Sequence, residues 1–119
     1  MTAIKKIESK IISEIMRYLC GNSYLRVWRQ NTGAMSDKRG RIVRFGVPGA
    51  ADISGILNDG RRLEIEVKSS TGRESKEQIA FEKMIRKYGG VYIIARSIED
   101  VRVGIAEAMK SGAKFICLR

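Results

Sequence analysis

The stretch Leu63-Glu64-Ile65-Glu66-Val67-Lys68, with Asp52 shortly before it, decides how this chain is read. Leu63, Ile65 and Val67 alternate with Glu64, Glu66 and Lys68. A period of two is that of a β-strand, whose successive side chains leave opposite faces, and the branched apolar set suits a buried one. The other face carries two acids and a lysine. It reads either as a solvated strand face or as an acidic cation site with a lysine beside it, and the flanking residues bear on the choice.

Upstream, Pro48-Gly49 marks a turn, and Asp52-Ile53-Ser54-Gly55-Ile56-Leu57 reads as a strand burying most of its side chains. Asn58-Asp59-Gly60 then turns the chain back. A three-residue loop with Gly60 in the left-handed position sets Leu57 opposite Arg61, and so Asp52 opposite Glu66 on one face. A two-residue Asp-Gly loop would set Asp52 opposite Val67 and break the cluster. The first register is the one expected.

Working outward, residues 2 to about 20 carry Ile4, Ile7, Ile11, Ile15, Tyr18 and Leu19 at helical spacing, with Gly21 suited to a left-handed cap. At about 100° per residue Glu8 falls inside that apolar stripe. It is either a cation-directed acid or one that snorkels from a fraying end. Residues 24–30 read as a strand and Asn31-Thr32-Gly33 as a turn. The segment from Ala34 to Arg44 sets Lys38, Arg39, Arg41 and Arg44 against the single acid Asp37. It reads as a basic loop or ragged hairpin, either solvated or in contact with phosphate.

Downstream, residues 69–74 form a polar loop, and Ser75 opens a helix to about Tyr88, closed by Gly89-Gly90. Gln78 shares the inward face of Phe81 and Ile85, yet Ser75-x-x-Gln78 is also a capping box. Val91–Ala95 is fully apolar and reads as a central strand; Ser97 caps a helix to about Lys110, and Phe115–Leu118 reads as an edge strand. The order predicts one α/β domain over residues 1–119, with a mixed β-sheet flanked by helices.

Composition bounds the chemistry. No apolar run approaches the ~20 residues that cross a bilayer, and Lys5, Lys6, Glu8 and Lys10 interrupt the first apolar positions. The expectation is a cytoplasmic protein with no membrane partner. The formal net charge of +10 favours a polyanionic partner, nucleic acid above all. Cys20 and Cys117 stand far apart, without metal-ligand spacing, and are expected as buried thiols. Histidine is absent, which removes Ser-His-Asp triads, Cys-His pairs and imidazole–metal sites. Catalysis then falls to carboxylates, lysine and a hard cation held through oxygen, Mg²⁺ or Mn²⁺. Asp52, Glu66 and Lys68 together meet the need of phosphodiester hydrolysis, where phosphate charge must be neutralised and a water activated.

In this order and spacing, the residues resemble the VRR-Nuc branch of the PD-(D/E)XK nucleases. The similarity runs from the helix bearing Glu8 through Trp28-Arg29-Gln30-Asn31-Thr32-Gly33 and Phe45-Gly46-Val47-Pro48-Gly49-Ala50-Ala51-Asp52 to Ile65-Glu66-Val67-Lys68. It continues through Gly72-Arg73-Glu74-Ser75-Lys76-Glu77-Gln78 to about Val101. Ala51 departs from the family's frequent proline, and Glu64 adds a second acid to the strand face. The resemblance implies a restriction-endonuclease-like core and a structure-specific DNA endonuclease acting on branched or junction DNA in a bacterial or phage-infected cell, often as a homodimer. It implies metal ligation by Asp52, Glu66 and the Val67 carbonyl, with Glu8 through water, Lys68 as the catalytic lysine and Gln78 supporting the site. Arg29, Asn31, Lys38, Arg39, Arg41, Arg44, Arg73 and Lys76 are the expected DNA contacts. Two alternatives stand beside it: a basic nucleic-acid-binding module without catalysis, and a non-catalytic subunit of a phage DNA-processing complex.

Overall fold

The computed structural model describes residues 2–30 and 33–116. Nine elements follow in order among them: α1 (Ala3–Leu19), β1 (Leu25–Arg29), β2 (Gly33–Ser36), β3 (Ile42–Phe45), β4 (Ile53–Leu57), β5 (Arg62–Val67), α2 (Lys76–Lys87), β6 (Val91–Ala95) and α3 (Ile98–Ile116). The hairpin takes the three-residue register. Ile53 pairs with Ile65, Ser54 with Glu64 and Gly55 with Leu63. The Leu57 N–H donates to the Arg61 carbonyl at 2.9 Å, and Gly60 has φ +92°. Carried one pair further, this register sets Asp52 across from Glu66.

The main sheet has the order β1-β4-β5-β6, antiparallel except for the parallel β5–β6 pair that α2 connects. It is a mixed sheet with helices on both faces. The apolar residues of β5 and their neighbours, Ile53, Leu57, Leu63, Ile65, Val67, Ile93 and Ala95, form the main core with Ile12, Ile15 and Leu19 of α1 and Val101 and Ala108 of α3. On the opposite face α2 lays Phe81 and Ile85 against Tyr92, Ile94, Ala50 and Ala51. Among the described residues, no helix is long and apolar enough to cross a membrane.

The structure departs from the expectations in several places. Val91–Ala95 is the edge strand of the described sheet, not a central one; it is apolar because α3 covers one of its faces and α2 the other. The basic segment is a regular two-stranded ribbon, β2 with β3, in which Ala34 pairs with Arg44 and Ser36 with Ile42. Asp37 closes its turn: the carboxylate accepts the Arg39 and Arg41 N–H groups at 2.9 and 2.8 Å and the Arg41 Nε at 2.8 Å. Phe115 and Ile116 continue α3 and so form no strand, while Cys117 and Leu118 lie outside the described residues. Cys20 is exposed, not buried. Of the α1 stripe Ile15 and Leu19 are buried, whereas Ile4, Ile7 and Tyr18 are exposed.

Between the ribbon and Asp52 the chain turns at Val47–Ala50, with the Ala50 N–H on the Val47 carbonyl at 3.1 Å. Gly49 sits there at φ +76°, and a Cβ on it would lie 2.2 Å from the Glu77 carbonyl oxygen. Side chains are excluded both by conformation and by the backbone of α2. Gly60 shares only the first constraint, because a Cβ there meets nothing within 4 Å. Gly60→Ala is therefore expected to cost about 1 kcal/mol, the ordinary penalty of the left-handed region, and Gly49→Ala distinctly more. Urea unfolding of the two variants checks this; equal losses would mean that the turn does not press on α2.

Candidate active site

The polar face of β5 is not solvated. Glu64, Glu66 and Lys68 are 0%, 3% and 8% exposed, so their charges need partners inside the protein. Each acid has a different answer. Glu64 accepts the Ser54 hydroxyl at 2.7 Å through Oε2 and the Arg62 Nε at 2.7 Å through Oε1, and the Arg62 guanidinium lies 5.8 Å above the Trp28 ring. It is fully engaged in packing β4 to β5.

Glu66 stands at the end of the sheet where the elements converge. Asp52 precedes β4 and its Oδ2 accepts the Val67 N–H at 2.8 Å, which fixes the carboxyl beside Glu66. Gln78 enters from α2. Its Nε2 donates to Glu66 Oε2 at 2.8 Å while its Oε1 accepts Lys68 Nζ at 2.8 Å. The same Oε1 accepts the Ser75 N–H at 2.8 Å, and the Ser75 hydroxyl accepts the Gln78 N–H at 3.2 Å. Gln78 thus closes the capping box and braces the site at once. Lys68 Nζ lies 3.4 Å from Glu66 Oε2. From α1, Glu8 reaches the loop after β5, where its Oε2 accepts the Ser69 N–H at 2.9 Å. It is a loop anchor at the rim of the site rather than a fraying acid.

The charge balance is strained. Burial first, then the adjacent Asp52 charge, pushes the Glu66 carboxyl up to about 8, with Lys68 opposing. Burial also raises Asp52, against the pull of the Val67 N–H. Two carboxyls this close favour one shared proton, which lowers the repulsion between them. Glu66 Oε1 is buried with no hydrogen-bond donor. Among the described residues no three carboxylate or thiol side chains converge as a metal cage. A hard cation here would therefore rest on two carboxylates completed by backbone or water oxygens, and the donor-poor Glu66 Oε1 beside Asp52 fits that demand.

The expected DNA contacts are scattered. Lys38, Arg39, Arg41 and Arg44 are exposed on the ribbon, although Arg41 is tied to Asp37, and Arg73 and Lys76 are exposed on either side of Ser75. Arg29 pairs with Ile53 and so lies on the α1 side of the sheet, away from the carboxylates; Asn31 lies outside the described residues. Sequence reasoning missed Arg96, whose guanidinium donates to the Ser69 carbonyl and, at 3.0 Å, to the Gly72 carbonyl. No motif spacing marks Arg96, because its partners in that loop are backbone atoms.

No protein-family model matches the chain, and no curated protein matches it in sequence. The fold and site define an α/β protein with paired acids and a lysine at one end of a mixed sheet, and its chemistry is argued from that geometry.

The shared proton has a measurable consequence. A Glu66 value near 8 in the folded chain, against 4.5 ordinarily, means that the folded state binds the proton more tightly. The stability this contributes is full below the ordinary value and lost as pH rises towards 8. In excess chelator, the chain is expected to lose stability between about pH 6 and about pH 9, and Glu66→Gln to lose much less. Urea midpoints at both pH values decide it; parallel losses in the two proteins would mean that Glu66 is not the proton carrier.

Proposed function

We propose that this chain is a Mg²⁺- or Mn²⁺-dependent deoxyribonuclease with a restriction-endonuclease-like PD-(D/E)XK core, cutting branched or junction DNA. The observation that carries the reading is the Asp52–Glu66 pair with Lys68 Nζ beside it, the lysine oriented by Gln78 at 2.8 Å. A structural ion pair needs neither the second carboxyl nor the donor-less Glu66 oxygen. Asp52, Glu66 and the Val67 carbonyl would hold the cation, which neutralises phosphate charge and lowers the pKa of a water.

The remaining steps belong to the chain. Asp52 is pinned by the Val67 N–H in the position across from Glu66. Gln78 fixes both Glu66 and Lys68, so neither side chain reorganises when phosphate arrives. Lys68, a compact cation in a poorly solvated site, stabilises the negative charge that develops on the phosphoryl oxygens as water adds and the deoxyribose oxygen leaves. Glu8 and Arg96 hold the loop after Lys68 through Ser69 and Gly72. The ribbon cations and the net charge of +10 supply phosphate affinity. A homodimer would present two such sites to two strands of a branched duplex.

Cleavage of branched DNA is expected to require added Mg²⁺ or Mn²⁺, and Glu66→Gln and Lys68→Met each to abolish it. Glu64→Gln should retain most activity while costing about 1–3 kcal/mol, since it weakens a buried hydrogen bond to a charged group. A chelator-resistant activity, or normal cutting by Lys68→Met, would remove this site from the chemistry.

Binding is a separate expectation. Changing Lys38, Arg39 and Arg41 together to glutamine should weaken DNA affinity and flatten its dependence on salt, by up to ~3 in the slope of log K against log salt. The fold should persist. Unaltered affinity and slope would show that the ribbon is only solvated.

A further inference from the structure

The β2–β3 ribbon turns large apolar side chains to solvent. Met35, Ile42 and Val43 are 62%, 67% and 45% exposed. Met35 pairs with Val43, so both leave one face of the ribbon, while Ile42 pairs with Ser36 and leaves the other. An exposed apolar residue standing alone needs no explanation, but these three are direct or adjacent neighbours across the two strands. A ribbon laid flat on the body would bury one of its faces. Here Ser36 and Arg44 are exposed as well, so neither face is packed. A two-stranded ribbon in that condition is marginally ordered by itself, and Asp37 at the tip holds it from within.

Where the ribbon is rooted matters as much. β1 leads into β2 and β3 returns to β4, so the ribbon springs from the end of the β1–β4 pair at which Asp52 lies. One rung past the Arg29–Ile53 pair, the Gln30 N–H donates to the Asp52 carbonyl at 2.9 Å. The returning chain reaches Asp52 through the Val47–Ala50 turn, whose Gly49 lies against the Glu77 and Gln78 backbone of α2. The root of the ribbon is thus fixed to the acid pair and to the helix that braces it. Lys38 and Arg39 at the tip and Arg44 on β3 are exposed, and Arg41 is tied to Asp37.

We propose that the ribbon selects the branch: Met35, Ile42 and Val43 pack against base faces laid open at a branch point, while Lys38, Arg39 and Arg44 hold the phosphates around it. The inference rests on the DNA-cutting reading given above and adds the feature that chooses the substrate. Phosphate offers nothing to an apolar side chain, so these three residues call for bases. In linear duplex the base faces are stacked, and an apolar wedge must first part them at an energetic cost. At a branch the stack is already broken, so the same contacts favour branched over linear DNA. An opening between duplex arms also meets both faces of the ribbon at once, as Ile42 on one face and Met35 with Val43 on the other require. A flat protein surface meets only one. A second copy of this chain suits the ribbon less, because its own ribbon carries the same four cations against one acid.

Binding by the full chain in excess chelator, where no strand is cut, tests the proposal. Fluorescence anisotropy on a four-way junction and on a linear duplex of equal length compares wild type with Met35→Thr/Ile42→Thr/Val43→Thr. Threonine keeps the strand preference and removes most of the apolar surface, and none of the three residues is buried. Circular dichroism checks the fold, and Ile42→Thr alone, with a loss of about threefold on the junction, serves if the triple variant unfolds. Wild type is expected to prefer the junction by about tenfold or more. The triple variant should lose about fivefold or more on the junction and less than about twofold on the duplex, with the salt slope unchanged because every cation remains. 2-Aminopurine placed beside the branch point should brighten with wild type and not with the variant. A wild type without junction preference, a variant that keeps it, or equal losses on both substrates overturns the proposal. So does a wild-type dimer that the variant dissolves with its junction preference intact, which would make the ribbon an arm between copies. Junction preference carried by these residues in a chain that cuts nothing with Mg²⁺ or Mn²⁺ would leave the ribbon's role standing and remove the nuclease reading instead.

Discussion

Two carboxyls, Asp52 and Glu66, are brought into contact by the turn of one hairpin, and the surrounding structure serves to tolerate that. Like charges in a poorly solvated place repel strongly, and their joint burial is costly unless a proton, a cation or donors intervene. The chain supplies donors on every side but one. The Val67 N–H holds Asp52, Gln78 and Lys68 hold Glu66, and Glu66 Oε1 is left bare. A fold selected for stability alone would replace such a pair with apolar residues.

The neighbouring Glu64 shows the contrast. It is one strand pair away on the same face and as deeply buried, yet both of its oxygens are satisfied by Ser54 and Arg62. A charge with its partners built in has nothing left to offer a ligand. The difference between the two glutamates lies in what stands opposite them: a hydroxyl in one case, a second acid in the other.

Much of this was legible in the alternation of residues 63–68 and in the turn that precedes them. Gly60 fixed the register, and the register placed Asp52. The serine and glutamine of α2 announced a cap, and helical spacing turned Gln78 inward. Periodicity could not tell whether the polar face of β5 was wet, because that depends on α2 and on Arg62 and Trp28 lying over it. Nor could it place β6 at the edge, since a strand covered on both faces reads as apolar wherever it sits. The ribbon was ambiguous because its charges obscure a short pattern that Asp37 organises through backbone contacts.

Gln78 carries a burden with consequences for how this sequence can drift. One side chain ends a helix, orients a lysine and restrains an acid. Glutamate at this position would keep the carbonyl-like oxygen but surrender the N–H to Glu66, and alanine would forfeit all three contacts. Few single substitutions at position 78 can then be neutral, because a loss of helix integrity and a loss of site geometry arrive together. Compensation would have to come from two places at once, at the helix end and at the site.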